Sequence, residues 1–398
     1  MKDSFFLLSG VFLLTQLSAF AESVPKVGYL MAIVLAIYVF VCCKVGVSKM
    51  GKEYTIKIFS ILLIGACISL LFINNGNILL CFPFSLNCLV YLSIADNKHL
   101  YISYNSLIKF FKLVTYWGVI ACIYNIVINR GGMGSLSVTS NAYMVDFASF
   151  YSGRNTFGSL LFFFIVTSFF VYLKTSEKKY IFCIFLMLVN LVFTFSRTSI
   201  ITISLFFFFI LLFHYTKHLS KFLCIAAVLC LFFFLGLGFV NDNYDLIDHF
   251  LIREGSGETV RYDYWDLSIN YIINNPIFGY GPGSGSFILE DNSSHLTEVT
   301  SSFHNTLIEI TVWGGICLLI VYILLFRYIF LYIRKIKKFD IVFYRVYMAF
   351  FLSYLIYSMY ETLMFFAVEI RANLISLLLI VLPPLYYRCY TRKEICMK

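Results

Sequence analysis

Charge is scarce in this sequence. Asp, Glu, Lys and Arg make up 13% of its 398 residues, about half the share carried by soluble domains. Set beside 61% hydrophobic and 19% aromatic content, that shortage excludes a soluble globular protein, and it excludes intrinsic disorder as well. Proline is also rare, six residues in all, so long helices can run unbroken. Strict alternation of apolar and polar residues is missing from runs such as Ile203 to Phe213, which excludes the strands of a transmembrane barrel. The chain has no internal repeat and no low-complexity linker.

What remains is an all-α, polytopic transmembrane helical bundle. At about 20 residues per span, apolar runs bounded by charge, Gly, Asn or Pro predict twelve spans: 5–21, 28–43, 56–73, 78–94, 107–128, 155–173, 180–195, 198–213, 222–240, 305–326, 343–360 and 371–387. Three polar stretches stand out at 44–55, 129–154 and 241–303, and the last holds no run long enough to cross. The chain therefore divides into nine spans over 1–240, a long loop over 241–303 that contains short helices, and three spans over 304–398. Lys2, the apolar stretch from Phe5 and Ala19-Phe20-Ala21 also resemble a secretory signal with a small-residue cleavage site. The eleven further spans favour a retained first helix, and either reading leaves the later topology unchanged.

Lys and Arg placement orients the bundle. With the N-terminus in the cytoplasm, 23 of the 30 basic residues fall on the cytoplasmic face, where the C-terminus also lies. The outer face keeps Lys26, Arg130, Arg154, Arg197, Arg253, Arg261 and Arg371. The long loop is then external, or periplasmic in a Gram-negative cell. The formal charge of +9 is a topology signal and calls for no nucleic acid. The longer external loops contain no cysteine, so no disulfide framework is expected, and the twelve thiols read as small buried hydrophobes.

The kind of base differs between the faces. The cytoplasmic set is 18 Lys and 5 Arg, the external set 1 Lys and 6 Arg. Arg is preferred where a planar fork must grip phosphate or carboxylate in a partly dry site. The outer arginines point to an anionic ligand at the membrane boundary, or else to structural pairing with the ten acids of the loop. Arg197 lies between two spans, where an arginine is costly unless it is used or snorkels to the external headgroups. In Glu258 to Pro276, Val260, Tyr264, Leu267 and Tyr271 recur at helical spacing, and Asn275-Pro276 ends the pattern. Arg261, Trp265 and Ser268 share a neighbouring stripe that sets a cation beside an aromatic plane; the alternative is an amphipathic helix on the bilayer surface.

Gly279-Tyr280-Gly-Pro-Gly-Ser-Gly285 follows, a glycine pattern suited to a flexible turn or to close backbone approach. The loop ends in Ser301-Ser302-Phe303-His304-Asn305. Ser301 or Ser302 can cap the next helix, placing His304 in its first turn, neutral at pH 7 and able to accept a proton; the alternative is a plain interfacial side chain. Glu309 is expected to face the bundle interior. Glu361, Glu369 and Arg371 flank the last external turn as a supporting shell. The loop acids show no metal-ligand spacing, so no metal and no cofactor is called for.

In order, these segments resemble the O-antigen ligase and O-antigen polymerase superfamily. The resemblance rests on Phe193-Thr-Phe-Ser-Arg197-Thr-Ser opening a span, on Arg261 before Asn275-Pro-Ile-Phe-Gly-Tyr-Gly281, and on His304-Asn305 entering a helix that soon reads Trp313-Gly-Gly, with a weaker match at Gly153-Arg154-Asn155. It implies a GT-C-like membrane glycosyltransferase of the bacterial inner membrane. In such an enzyme Arg197 and Arg261, with Arg154, hold the lipid-linked diphosphate, and His304 acts on the acceptor. Trp265, Asn305, Tyr280, Glu361 and Arg371 are the remaining candidates for substrate contact. The donor implied is a polyprenyl-diphosphate-linked glycan, and the acceptor a second glycan (polymerase) or lipid A–core (ligase). Membrane lipids surround the protein, and a chain-length regulator is a further candidate partner. A lipid-linked oligosaccharide flippase is the reading from another class, but it should place its polar groups mid-membrane in discontinuous helices.

Overall fold

The computed structural model describes residues 2–17, 27–43, 78–128, 147–194, 196–215, 258–293, 302–367 and 369–396. Twelve helices are described: α1 (Phe5–Leu17), α2 (Val27–Cys43), α3 (Ile78–Asp96), α4 (Tyr104–Ile128), α5 (Arg154–Thr175), α6 (Lys179–Phe193), α7 (Arg197–Tyr215), α8 (Glu258–Asn274), α9 (Ser284–Asp291), α10 (Thr306–Ile336), α11 (Ile341–Tyr357) and α12 (Ile370–Cys396). Two short strands, β1 (Lys2–Asp3) and β2 (Leu100–Tyr101), pair in parallel beside the start of α1. Among the described residues α4, α5, α7, α10 and α12 are long and apolar enough to cross a membrane, and α1, α2, α3, α6 and α11 are shorter apolar helices. The protein is a polytopic helical membrane protein. The expected spans at 56–73 and 222–240 lie outside the described residues.

Helix α5 sits at the centre, packed against α4, α6, α7 and α11. From Phe157 to Val171 all but one of its side chains are buried. Its Phe162, Phe163 and Phe170 meet Phe350 and Phe343 of α11 edge to face, a geometry that aligns the positive rim of one ring with the negative face of the other. Next to Phe343, Asp340 caps α11 through Phe343 N and takes both an ion pair from Lys174 and a hydrogen bond from Tyr386. A buried carboxylate so fully paired locks α5, α11 and α12 together.

Two spans depart from regular helix. α10 is broken at Gly314 and Gly315, whose backbone angles are not helical. α12 widens into π-helix over Ser376–Val381, an irregularity frequent at functional sites.

The connection between α11 and α12, expected as a short external turn, folds instead into the bundle. Glu361 through Ala367 are buried. Thr306, Tyr354 and Tyr322 hydroxyls donate to the carbonyls of Glu361, Leu363 and Phe365, and Asn87 Nδ2 donates to those of Phe366 and Ala367. Irregular backbone away from water is tolerated only when its polar groups are satisfied in this way.

Candidate active site

The site is built where α10 begins. Asn305 Oδ1 accepts from Leu307 N and Ile308 N at 2.9 and 3.1 Å. Asn305 is therefore the cap, in place of the expected Ser301 or Ser302, because its side-chain oxygen sits at the reach of the two free amides. His304 consequently lies before the helix rather than in its first turn. Its φ of +51° is left-handed, a conformation that costs energy for a residue bearing a Cβ and persists where its surroundings enforce it. The enforcing contacts are visible on its neighbour. Phe303 N donates to Glu309 Oε2 at 3.0 Å, and Phe303 O accepts from Trp265 Nε1 at 3.0 Å. Glu309 faces inward as expected, and its other oxygen accepts from Trp313 Nε1 at 2.7 Å. The ring of Tyr264 stacks beside His304.

The first residue of α10 then gathers the acid. Thr306 N donates to Ser358 O, Thr306 Oγ1 donates to Glu361 O at 2.9 Å, and Leu363 N donates to Thr306 Oγ1 at 2.8 Å. These bonds bring Glu361, 5% exposed, to the end of the loop. Its Oε2 is 3.5 Å from His304 Nδ1 and its Oε1 is 3.6 Å from Arg261 Nη2. Burial pushes the Glu361 carboxyl up, but His304, Arg371 and Arg261 outweigh burial and hold it below its ordinary range. His304 and Arg261 are both partly exposed, so the acid is sealed while its cationic neighbours reach outward. Arg371 clamps Glu369 Oε2 through Nε and Nη2 at 3.0 and 2.7 Å. The acids that pair with Arg261 and Arg371 thus come from the last turn.

Arg154 and Arg197 occupy equivalent places, the first residues of α5 and α7. The two helix starts are pressed together at Gly158, where a Cβ would stand 2.8 Å from Ser196 Cβ and 3.0 Å from Ser199 Oγ. Buried Tyr357, at the end of α11, lies within interaction range of Ser159, Ser199, Glu361 and Arg371. Neither Tyr357 nor Thr306 is prominent in the sequence, where each looks like one more tyrosine or threonine at a span boundary.

Two expected site residues are engaged elsewhere. The side chain of Asn305 is committed to its cap. Tyr280 is buried beside Tyr271, with its backbone N–H on Val312 O, a turn and a half of helix away from Thr306.

Residues 182–323 match the O-antigen ligase family. This stretch runs from α6 into α10 and contains Arg197, Arg261, Trp265, Tyr280, His304 and Asn305. The resemblance to the O-antigen ligase and polymerase superfamily therefore holds, on the segments that build the cluster. Arg154, Glu361 and Arg371 lie outside the O-antigen ligase match, and the fold brings Glu361 and Arg371 to Arg261 and His304. No curated protein matches the chain.

Proposed function

We propose that this protein is a membrane glycosyltransferase that polymerises polyprenyl-diphosphate-linked oligosaccharide units on the external face of the bacterial inner membrane, without a metal and with inversion at the anomeric carbon. The observation that carries the reading is a buried carboxylate, Glu361, flanked by Arg261 and His304 at 3.6 and 3.5 Å within a chain that matches the O-antigen ligase family.

In this scheme Arg197 and Arg261, with Arg154, hold the diphosphate of the donor. As the bond from the anomeric carbon to the diphosphate oxygen breaks, its electron pair goes to the leaving group, and each guanidinium contributes about 2–4 kcal/mol by stabilising that charge. The acceptor hydroxyl forms the new bond from the opposite face, and its proton passes to Nε2 of His304. Glu361 Oε2 stands 3.5 Å from Nδ1, near enough to stabilise the imidazolium as it forms, and Nε2 is the nitrogen presented to the acceptor. A sugar acceptor suits the exposed Asp263, Asp266 and Asn270 on α8 beside the cluster. Transfer to lipid A–core is the second reading, favoured by the description of the matching family.

Deletion of the gene in a strain that makes O-antigen decides between them when lipopolysaccharide is run on a gel. Core bearing one repeat unit is the expected result. Bare core with long chains on the lipid carrier would replace the polymerase by the ligase. Bare core with single carrier-linked units trapped inside would overturn both.

A further inference from the structure

Helix α8 belongs to the segment that the sequence places outside the membrane, yet its end is anchored deep along a span. At the break in α10 the carbonyls of Val312 and Trp313 accept from Tyr280 N and Gly281 N, at 2.8 and 2.7 Å. In return Ile316 N and Cys317 N donate to the carbonyls of Pro276 and Ile277. The contact is backbone on backbone, since a Cβ on Gly315 would meet Ile277 O at 2.2 Å and one on Gly279 would meet Val312 O at 2.5 Å. Glu309 aside, α10 is uncharged from Thr306 to Arg327. At 1.5 Å per residue that run covers about 31 Å, the thickness of the hydrocarbon layer. Gly315 then lies about 13 Å below the level of Thr306, and so does the hairpin docked on it.

The outward side of this element is apolar. Ile269 and Ile273 of α8, with Ile277 and Phe278 of the hairpin, are 50–68% exposed. They adjoin Ile316 of α10, which begins a row of exposed side chains continued by Ile320 and Ile323, the lipid-facing stripe of that span. The exposed Asp263, Asn270 and Asn274 of α8 centre about 100° round the helix from Ile269 and Ile273, and Asp266 stands one turn before Ile269, at the Arg261 end of the apolar row. In water the apolar row would leave a contiguous hydrophobic patch open, whereas hydrocarbon at that depth covers it without cost.

We infer that residues 269–278 form a re-entrant element whose Ile269, Ile273, Ile277 and Phe278 side chains are seated in the acyl chains of the leaflet on the His304 side. The occupant of this face is the lipid bilayer, continuous with the belt around α10. The inference is independent of the reaction proposed above, because it concerns where α8 lies and not what His304 does. It gives the loop a fixed inclination: α8 descends from Arg261, at the level of the cluster, into the leaflet.

The full-length protein in phosphatidylcholine vesicles with brominated acyl chains tests this, since bromine quenches tryptophan on contact. Phe278→Trp and Ile273→Trp place reporters on the apolar row, and Asp263→Trp places one on the polar stripe, each read after subtracting the emission of the parent protein. Phe278→Trp exchanges one exposed ring for another and keeps the test open if Ile273→Trp misfolds. Both row reporters should be quenched several-fold more strongly than the Asp263 reporter. Equal quenching at the three positions, or unquenched row reporters with solvent-exposed emission, overturns the proposal. Unquenched, blue-shifted emission also overturns it, by showing that a second copy of the protein and not lipid covers the face.

Discussion

The hydroxyl of Thr306 donates to the main-chain carbonyl of Glu361 at 2.9 Å and accepts from Leu363 N at 2.8 Å. One buried side chain thereby ties the start of α10 to the turn that carries the acid, so the distance from His304 to Glu361 depends on a group that need touch neither substrate. Thr306→Val keeps the shape and removes both bonds, leaving a buried carbonyl and amide without partners, a loss of about 1–3 kcal/mol each. Activity should fall with kcat while KM for the donor changes little, and Thr306→Ser should restore most of it. A Val variant with wild-type kcat would show that the turn is held by other contacts.

Arg197→Lys preserves the charge at the start of α7 but loses the planar fork. Most transfer activity should disappear at unchanged membrane levels of the protein. His304→Ala should lower the rate by on the order of 10²–10⁴, the usual worth of a positioned proton acceptor. Normal polymer length in the His304 variant, read on the same lipopolysaccharide gel, would reduce that residue to an interfacial side chain.

Gly315→Ala should be a folding defect. Gly315 has a φ of +60°, and an added Cβ would collide with Ile277 O and Phe278 N, which are backbone atoms and cannot rotate away. With ψ at −159° this backbone lies in a region open essentially only to glycine, which costs about 1–3 kcal/mol for a residue with a side chain, and the collision adds to it. A lowered melting temperature in detergent is expected for Gly315→Ala and not for Gly153→Ala, where a Cβ would meet nothing within 4 Å.

Because Glu361 titrates below its ordinary value of 4.5, its ionised form is favoured by folding. That contribution is fully present above the unfolded value and is lost as pH falls through the lower folded value. Melting temperature followed downward from pH 6 should show an acid-sensitive component that begins below about 4.5. In Glu361→Gln that component should be missing, so the two curves converge as the pH drops. Parallel curves throughout would mean that Glu361 carries no such linkage.

Much of the local structure around the candidate site could be read from residue order. Asn275-Pro276 marks the end of α8 at Asn274, Arg197 opens α7, Arg154 opens α5, and Glu309 faces inward. Each of these is a local consequence of side-chain size, backbone preference or charge near a membrane boundary. The glycine-rich Gly279–Gly285 stretch was harder, because a flexible turn and a tightly docked hairpin use the same residues. What separates them is the broken backbone of α10 at Gly314 and Gly315, more than thirty residues further along. The cap was misplaced for a similar reason, since Ser301, Ser302 and Asn305 all bear an oxygen able to reach a free amide.

Composition and apolar runs determined by themselves that this is a helical membrane protein, because burial in hydrocarbon and the cost of charge there act on each segment independently. Only the tertiary structure decided that Glu361 stands between Arg261 and His304, that Thr306 ties the start of α10 to the turn carrying Glu361, and that α8 ends against the break in α10. Those relationships depend on which buried carbonyl meets which distant donor, and hydrogen-bond partners so far apart in the chain leave no periodicity to read.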